Sequence, residues 1–240
     1  MEAKRSGNGF QLNGKKQFVI HGASADMLIV AARTAGSAGD KDGLTLFAVE
    51  KDTKGMDMDA VRLVDSAVAA HVRFDNVELT ADAVIGEVDQ GQEVLDKLLR
   101  AGRVGSAAEM VGVGTGAMNI TLDYLKERKQ FGQLIGEFQG LQHRAAHLYS
   151  EMEISDAIVR KAAEAADAGA DSAELLISAS KAKVGLSCNL AVREGVQMHG
   201  GVGMTDEYDI GLYMKRDRGL SEFFGDSRYH ANRVAEIYGY

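Results

Sequence analysis

Along the first part of the chain, short apolar runs are separated by polar turns. Phe10-Gln11-Leu12 reads as a first strand, and the Asn13-Gly14 that follows it is a tight-turn pair. Gln17 to Ile20 and Met27 to Ala32 are rich in β-branched and apolar residues and read as further strands. Thr34 to Gly43 is a glycine- and charge-rich loop, and Leu44 to Val49, Met56 to Val61 and Val72 to Phe74 complete the series. Many short strands between polar turns predict an antiparallel barrel or sandwich.

From about Gln90 the apolar period lengthens. Val94, Leu98, Val104, Ala108, Val111, Ile120 and Leu125 fall near helical spacing. A second helical run goes from Phe138 through Leu141, Ala145, Leu148 and Met152 to Ala166, and Asp167 to Asp171 breaks it. A third carries Leu176, Ala179, Ala182, Leu186 and Leu190 to Val196. Long amphipathic helices joined by short loops predict an antiparallel bundle. Thr205, followed by Asp206 and Glu207, reads as the N-cap of a shorter helix. A last helix is expected from Asp226 or Ser227. The expected fold is therefore segregated α+β. A partial antiparallel β-barrel spans residues 1–88, and an antiparallel four-helix-bundle-like all-α domain spans 89–240.

Composition narrows the function only by exclusion. With 45% hydrophobic and 26% charged residues, the chain is an ordinary globular sequence rather than a disordered one. Its formal net charge of -8 argues against a basic nucleic-acid footprint and against docking on anionic membranes. The single cysteine, Cys188, cannot form an internal disulfide and reads as a small core residue. No signal-like stretch, no membrane-spanning run and no metal-ligand cluster is expected, and the default compartment is the cytoplasm. The chain has no proline, so turns must rest largely on its 28 glycines.

Three stretches carry the chemistry. The first is Val72-Arg73-Phe74-Asp75-Asn76-Val77 with Val84-Ile85-Gly86 beyond it. The second is Glu127-Arg128-Lys129-Gln130-Phe131-Gly132, continued by Ile135-Gly136 and Phe138-Gln139. The third is Gln197-Met198-His199-Gly200-Gly201-Val202-Gly203. An arginine fork suits phosphate oxygens, and paired glycines let a backbone approach a phosphate closely. Each alone also has a plain structural reading, as a helix-end cation or a helix C-cap.

In this order, on a β-then-helical chain, the three resemble the acyl-CoA dehydrogenase family over the whole sequence, without that family's N-terminal helical domain. The resemblance implies FAD as cofactor, held by Arg128, Gln130, Phe131, Gln139, Gln197, Met198, Gly200, Gly201 and Ser227. It also places the Val19-Ile20 backbone against the flavin ring. It implies α,β-dehydrogenation of an acyl-CoA, with electron-transferring flavoprotein as acceptor. The expected assembly is a homotetramer, or a heterotetramer with another dehydrogenase chain. Arg103 and Gly225 fall on the substrate side. His199 reads as a helix-end residue.

The resemblance places the catalytic glutamate at one of two positions, and here both are glycine: Gly102 on the first long helix and Gly225 before the last one. Asp226, one residue on, is the candidate base, and its competing role is the N-cap of the last helix. Glu222 is another carboxylate nearby. Three functions compete: an active dehydrogenase, a non-catalytic partner subunit of one, and a flavin-free interaction bundle.

Overall fold

The computed structural model describes all residues from Met1 to Tyr240. They form two compact units, Met1–Leu98 and Leu99–Tyr240.

The first unit is built on β1 (Glu2–Ser6), β2 (Gly9–Ile20), β3 (Met27–Arg33), β4 (Leu44–Glu50), β5 (Met56–Arg62), β6 (Val68–Thr80) and β7 (Val84–Ile85). They lie in one sheet in the order β5-β6-β2-β1-β3-β4-β7. Every neighbouring pair is antiparallel except β1 and β3, which meet in parallel at Glu2 and Arg33. Alternation puts one face of each strand inward, so Phe10, Leu12, Leu28, Val30, Phe47, Val49, Val72, Phe74 and Val77 make a common core.

The sheet corrects one expectation. Asn13-Gly14 is not a tight turn: β2 runs straight through it, and the pairing with β6 merely shifts register between Leu12 and Gly14. Both flanks pair with the same long strand, so the extra residue is absorbed as a bulge. Asn13 helps hold it there, its Oδ1 accepting the Asn76 N–H at 2.9 Å. The true hairpin turn is at Gly7-Asn8, between β1 and β2.

The second unit holds most of α1 (Gly91–Glu127), then the small hairpin β8 (Lys129–Gln130) and β9 (Gln133–Leu134). The helices α2 (Gln139–Asp167), α3 (Ala173–His199), α4 (Ile210–Glu222) and α5 (Ser227–Ile237) follow. α3 is the central helix. Its Val184 and Cys188 pack with Met110 of α1, Val159 of α2 and Leu220 of α4. Cys188 is fully buried, and burial raises its thiol pKa, so it is an inert core residue.

Two further expectations need correction. Thr205 does not open a helix; α4 begins at Ile210. The Thr205 hydroxyl instead donates to the Val202 carbonyl at 2.8 Å, closing the turn after α3. Ala173–Met204 is, by length and composition, apolar enough to cross a membrane, with a window of mean hydropathy 1.2 that is 50% buried in the bundle. A helix packed on several sides by other helices needs that composition for the core alone.

Candidate functional site

The predicted residues of the second unit fall at two distant ends of the bundle. At one end, α1 runs out at Glu127 and the chain turns through the β8–β9 hairpin. Phe131 and Gly132 sit at its tip with φ of 54° and 85°, the left-handed pair of a tight hairpin turn. The Ile135 N–H donates to the Arg128 carbonyl at 2.8 Å and closes the hairpin base. This geometry projects Phe131 outward, where it is 92% exposed, and leaves Arg128, Gln130 and Gln139 exposed as well. A phenylalanine so exposed contributes nothing to this chain's own core.

α3 ends beside it. His199 stacks on Tyr124 of α1, ring centroids 4.5 Å apart. Its Nδ1 lies 2.8 Å from the Gly195 carbonyl, and its Nε2 is buried without a partner. His199 is thus a packed helix-end residue. Gly200 and Gly201 follow, both exposed; Gly200 has φ 66°, and a Cβ built on either would meet nothing within 4 Å. Gln197 is exposed beside them, while Met198 points into the core with Leu148 and Met152. The Tyr124–His199 stack therefore brings the second and third motifs to one end of the bundle. The result is an arginine fork, three amides, an exposed ring and an open glycine pair. That donor set fits FAD, which presents phosphates and rings.

The other end is closed. α1 passes Gly102, and the ring of Phe224 lies over it so closely that a Cβ there would sit 2.5 Å from the ring Cζ. Phe224 adopts φ 59°, which is strained for an aromatic residue. His230, fully buried on α5, lies with its Nε2 3.0 Å from the Phe224 carbonyl and holds the loop in place. That contact makes Nε2 the protonated nitrogen and leaves Nδ1 buried without a partner. Burial lowers the His230 pKa to about 4, with Arg103 and Arg233 adding to the effect. Gly225 has φ 105°, and a Cβ on it would meet the Tyr229 ring at 2.3 Å and His230 at 3.0 Å. Both glycine positions are thus filled by neighbouring side chains.

The charged residues there are engaged too. Arg103 is 7% exposed, and its guanidinium lies 3.3 Å from Glu174 of α3. Arg100 and Arg233 pair with the same carboxylate. Asp226 caps α5, its Oδ1 accepting the Tyr229 N–H at 2.8 Å. Ser227, the first residue of α5, sets its hydroxyl against Gly185, where a Cβ would come within 2.1 Å. Glu222 pairs with Arg218 on its own helix. Along α1, Gly102 and Glu127 stand about 38 Å apart at the rise of an α-helix. One chain's bundle therefore does not bring the Arg128 group to the Asp226 loop.

In the first unit, Val19 and Ile20 are half-buried at the end of β2, paired with Ala70 and Ala69 of β6. Phe18 before them has φ 51°, and its N–H donates to His71 Nδ1 at 3.3 Å. Three residues of the closed end went unpredicted: Glu174, His230 and the covering role of Phe224. The only local signal for any of them was the pair Phe223-Phe224 ahead of the Gly225-Asp226 cap.

A family model for the acyl-CoA dehydrogenase C-terminal domain matches residues 89–239, and one for the acyl-CoA dehydrogenase middle domain matches 1–77. The mitochondrial short/branched chain specific acyl-CoA dehydrogenase of Bos taurus is 31% identical over 98% of this chain. The match covers 54% of that relative, so the chain spans about half of its length. Among solved structures, the acyl-CoA dehydrogenase of Geobacillus kaustophilus matches with a TM-score of 0.94 at 25% identity, over 100% of this chain and 64% of its own. The FAD complex of PigA matches with a TM-score of 0.93 at 25% identity, over 99% and 62%.

Proposed function

Because the chain belongs to the acyl-CoA dehydrogenase family, we propose that it takes part in FAD-dependent α,β-dehydrogenation of an acyl-CoA thioester to a trans-2-enoyl-CoA. The observation that carries this reading is the open end of the bundle, where Arg128, Gln130, Phe131, Gln139, Gln197, Gly200 and Gly201 gather with no internal role for most of their side chains. Arg128 and the glutamine amides would hold the phosphates and adenine of FAD, Phe131 would pack on a ring, and the Gly200-Gly201 backbone would lie close to the cofactor. FAD, when bound, accepts the hydride from the substrate β-carbon.

The α-proton needs a carboxylate. Asp226 is the candidate, fixed in rotamer and position by its capping bond to Tyr229. The open end lies about 38 Å from Gly102 along α1. The flavin donors of one chain therefore serve a site whose carboxylate loop comes from another, in a homotetramer or in a heterotetramer with a second dehydrogenase chain. Electron-transferring flavoprotein is the expected acceptor.

The deciding experiment is the near-ultraviolet and blue absorption spectrum of the purified protein, before and after a medium-chain acyl-CoA is added. A flavin band that bleaches on addition is the expected result. Asp226→Asn abolishes the bleaching and keeps the fold, since asparagine caps a helix as well as aspartate does. A flavin band indifferent to acyl-CoA sinks the catalytic reading.

One observation favours a second reading, that of a non-catalytic partner subunit. Both positions where the resemblance puts the base are closed, Gly102 by Phe224 and Gly225 by Tyr229 and His230. Under this reading, Asp226→Asn leaves turnover of the complete assembly unchanged, while Arg128→Ala lowers it.

A further inference from the structure

α3 carries a lysine into the interior of the bundle. Lys181 is 2% exposed. Its Nζ donates to the Leu220 carbonyl of α4 at 3.2 Å and lies 3.8 Å from the Met110 sulfur of α1. Burial lowers its pKa to about 8, while Asp217, Glu222 and Asp226 pull the other way, so the ammonium is charged at neutral pH. Taking an ammonium out of water is unfavourable, and a methionine would fill the same space without that penalty. Packing alone therefore does not account for Lys181.

Its position shows what the charge acts on. Leu220 lies in the last turn of α4, which ends at Glu222. The carbonyls of a last turn have no partner within their own helix, and that end carries a partial negative charge. A buried cation there fixes where α4 stops. Only four residues, Phe223 to Asp226, separate α4 from Ser227, the first residue of α5. Two of them, Phe224 and Gly225, sit at φ 59° and 105°. A connection this short and this constrained passes any shift of α4 on to Asp226.

The same face of α3 receives the far end of that connection. Gly185 follows Lys181 by four residues, one helical turn. The space that a Gly185 Cβ would need is taken by the Ser227 hydroxyl, with Met110 Cε 3.9 Å away. Met110 thus lies beside both positions. Lys181 before the loop and Gly185 after it grip the two helix ends between which Asp226 is strung.

We propose that Lys181 and Gly185 are positioning residues for removal of the α-proton, holding the Phe223–Asp226 loop so that the Asp226 carboxylate keeps one place. Lys181 is sealed inside the bundle, so it acts through the loop and not on the substrate. The inference rests on Asp226 as the base.

The test reads amide hydrogen exchange at single residues in the full chain, and then the rate of flavin bleaching by a medium-chain acyl-CoA. Two amides report on the loop: Phe223, which donates to the Leu220 carbonyl, and Tyr229, which donates to Asp226 Oδ1. Lys181→Met keeps the packing of the side chain and removes the charge and the donor. It speeds exchange at Phe223 and Tyr229 by at least about tenfold, while Val159 and Ala162 in the core of α2 keep their rates. Gly185→Ala speeds Tyr229 in the same way. Adding Ser227→Ala restores it, because the Ser227 Cβ stands 3.5 Å from the new methyl, ordinary contact. Bleaching slows by at least about tenfold in Lys181→Met at unchanged flavin content. The proposal is overturned if Phe223 and Tyr229 keep their rates in Lys181→Met, if Val159 and Ala162 accelerate as much as they do, or if Ser227→Ala fails to rescue Gly185→Ala. It is also overturned if Lys181→Met bleaches at the original rate while Asp226→Asn does not bleach. If Asp226→Asn bleaches normally, the base assignment fails, and with it the role in proton removal; the exchange rates then decide whether Lys181 and Gly185 hold the loop.

Discussion

The two ends of the helical bundle use the same residue types for opposite purposes. At the end that carries Arg128, an arginine, a phenylalanine and a glycine pair stand in solvent: Phe131 is 92% exposed, and Gly200 and Gly201 have open space around them. At the end that carries Arg103, an arginine, a phenylalanine and two glycines interlock. Arg103 pairs with Glu174, and Phe224 lies on Gly102. Where packing accounts for a residue, its identity says little about a ligand. Where packing does not, something outside the chain must account for it. This asymmetry is why the FAD proposal rests on the open end.

The largest test of the contrast is acid. His230 anchors the closed end and is neutral there, its pKa lowered from 6.5 to about 4 by burial. Above pH 6.5 the imidazole is neutral folded and unfolded, and titration has no effect. Between 6.5 and 4 the unfolded chain takes up a proton that the folded chain refuses, so stability falls as pH falls. The loss approaches about 3 kcal/mol by pH 4. Thermal unfolding followed across this range should show a declining midpoint, and His230→Gln should flatten the decline. An equal slope in both proteins would mean that His230 is not the group responsible.

A smaller effect comes from Gly102. Alanine in a helix interior normally gains about 1 kcal/mol over glycine. Here its Cβ would lie 2.5 Å from the Phe224 ring, which His230 holds through the backbone. Gly102→Ala should therefore destabilise by about 1 to 2 kcal/mol in denaturant titration. In a Phe224→Ala background the sign should reverse, and Gly102→Ala should stabilise by about 0.5 to 1 kcal/mol. Matching values in the two backgrounds would show that Phe224 does not close this position.

The same asymmetry explains what the sequence revealed. The β-then-helix order was legible because period-two and helical spacings are local properties, and the breaks near Gln90 and Asp167 stand where the chain changes element. β1 was not legible: Glu-Ala-Lys-Arg-Ser is polar, with Ala3 its only buried residue, so alternation leaves no trace. Asn13-Gly14 and Thr205 misled for a shared reason. A residue suited to a turn or cap also suits a bulge or a local hydroxyl bond, and only the distant partner strand or helix decides. The open end could be read because its residues are consecutive in two motifs. The closed end could not, because Arg103 and Glu174 are 71 residues apart, and nothing in either segment points to the other.

The smallest expected effect on stability is also the one that separates the two ends most sharply. Arg128 and Phe131 are exposed, and no packing depends on either beyond an edge contact of Phe131 with Phe138 at 6.2 Å. Arg128→Ala and Phe131→Ser should each shift unfolding free energy by less than about 0.5 kcal/mol. If the end is a cofactor face shared between chains, both should still reduce the flavin retained after gel filtration, with Arg128→Ala losing the charge-assisted contact to phosphate. A variant that keeps its flavin and its stability would leave an exposed arginine and phenylalanine without a purpose, and would count against the site. A variant that loses stability would show that packing holds these residues after all, and the contrast between the two ends would disappear.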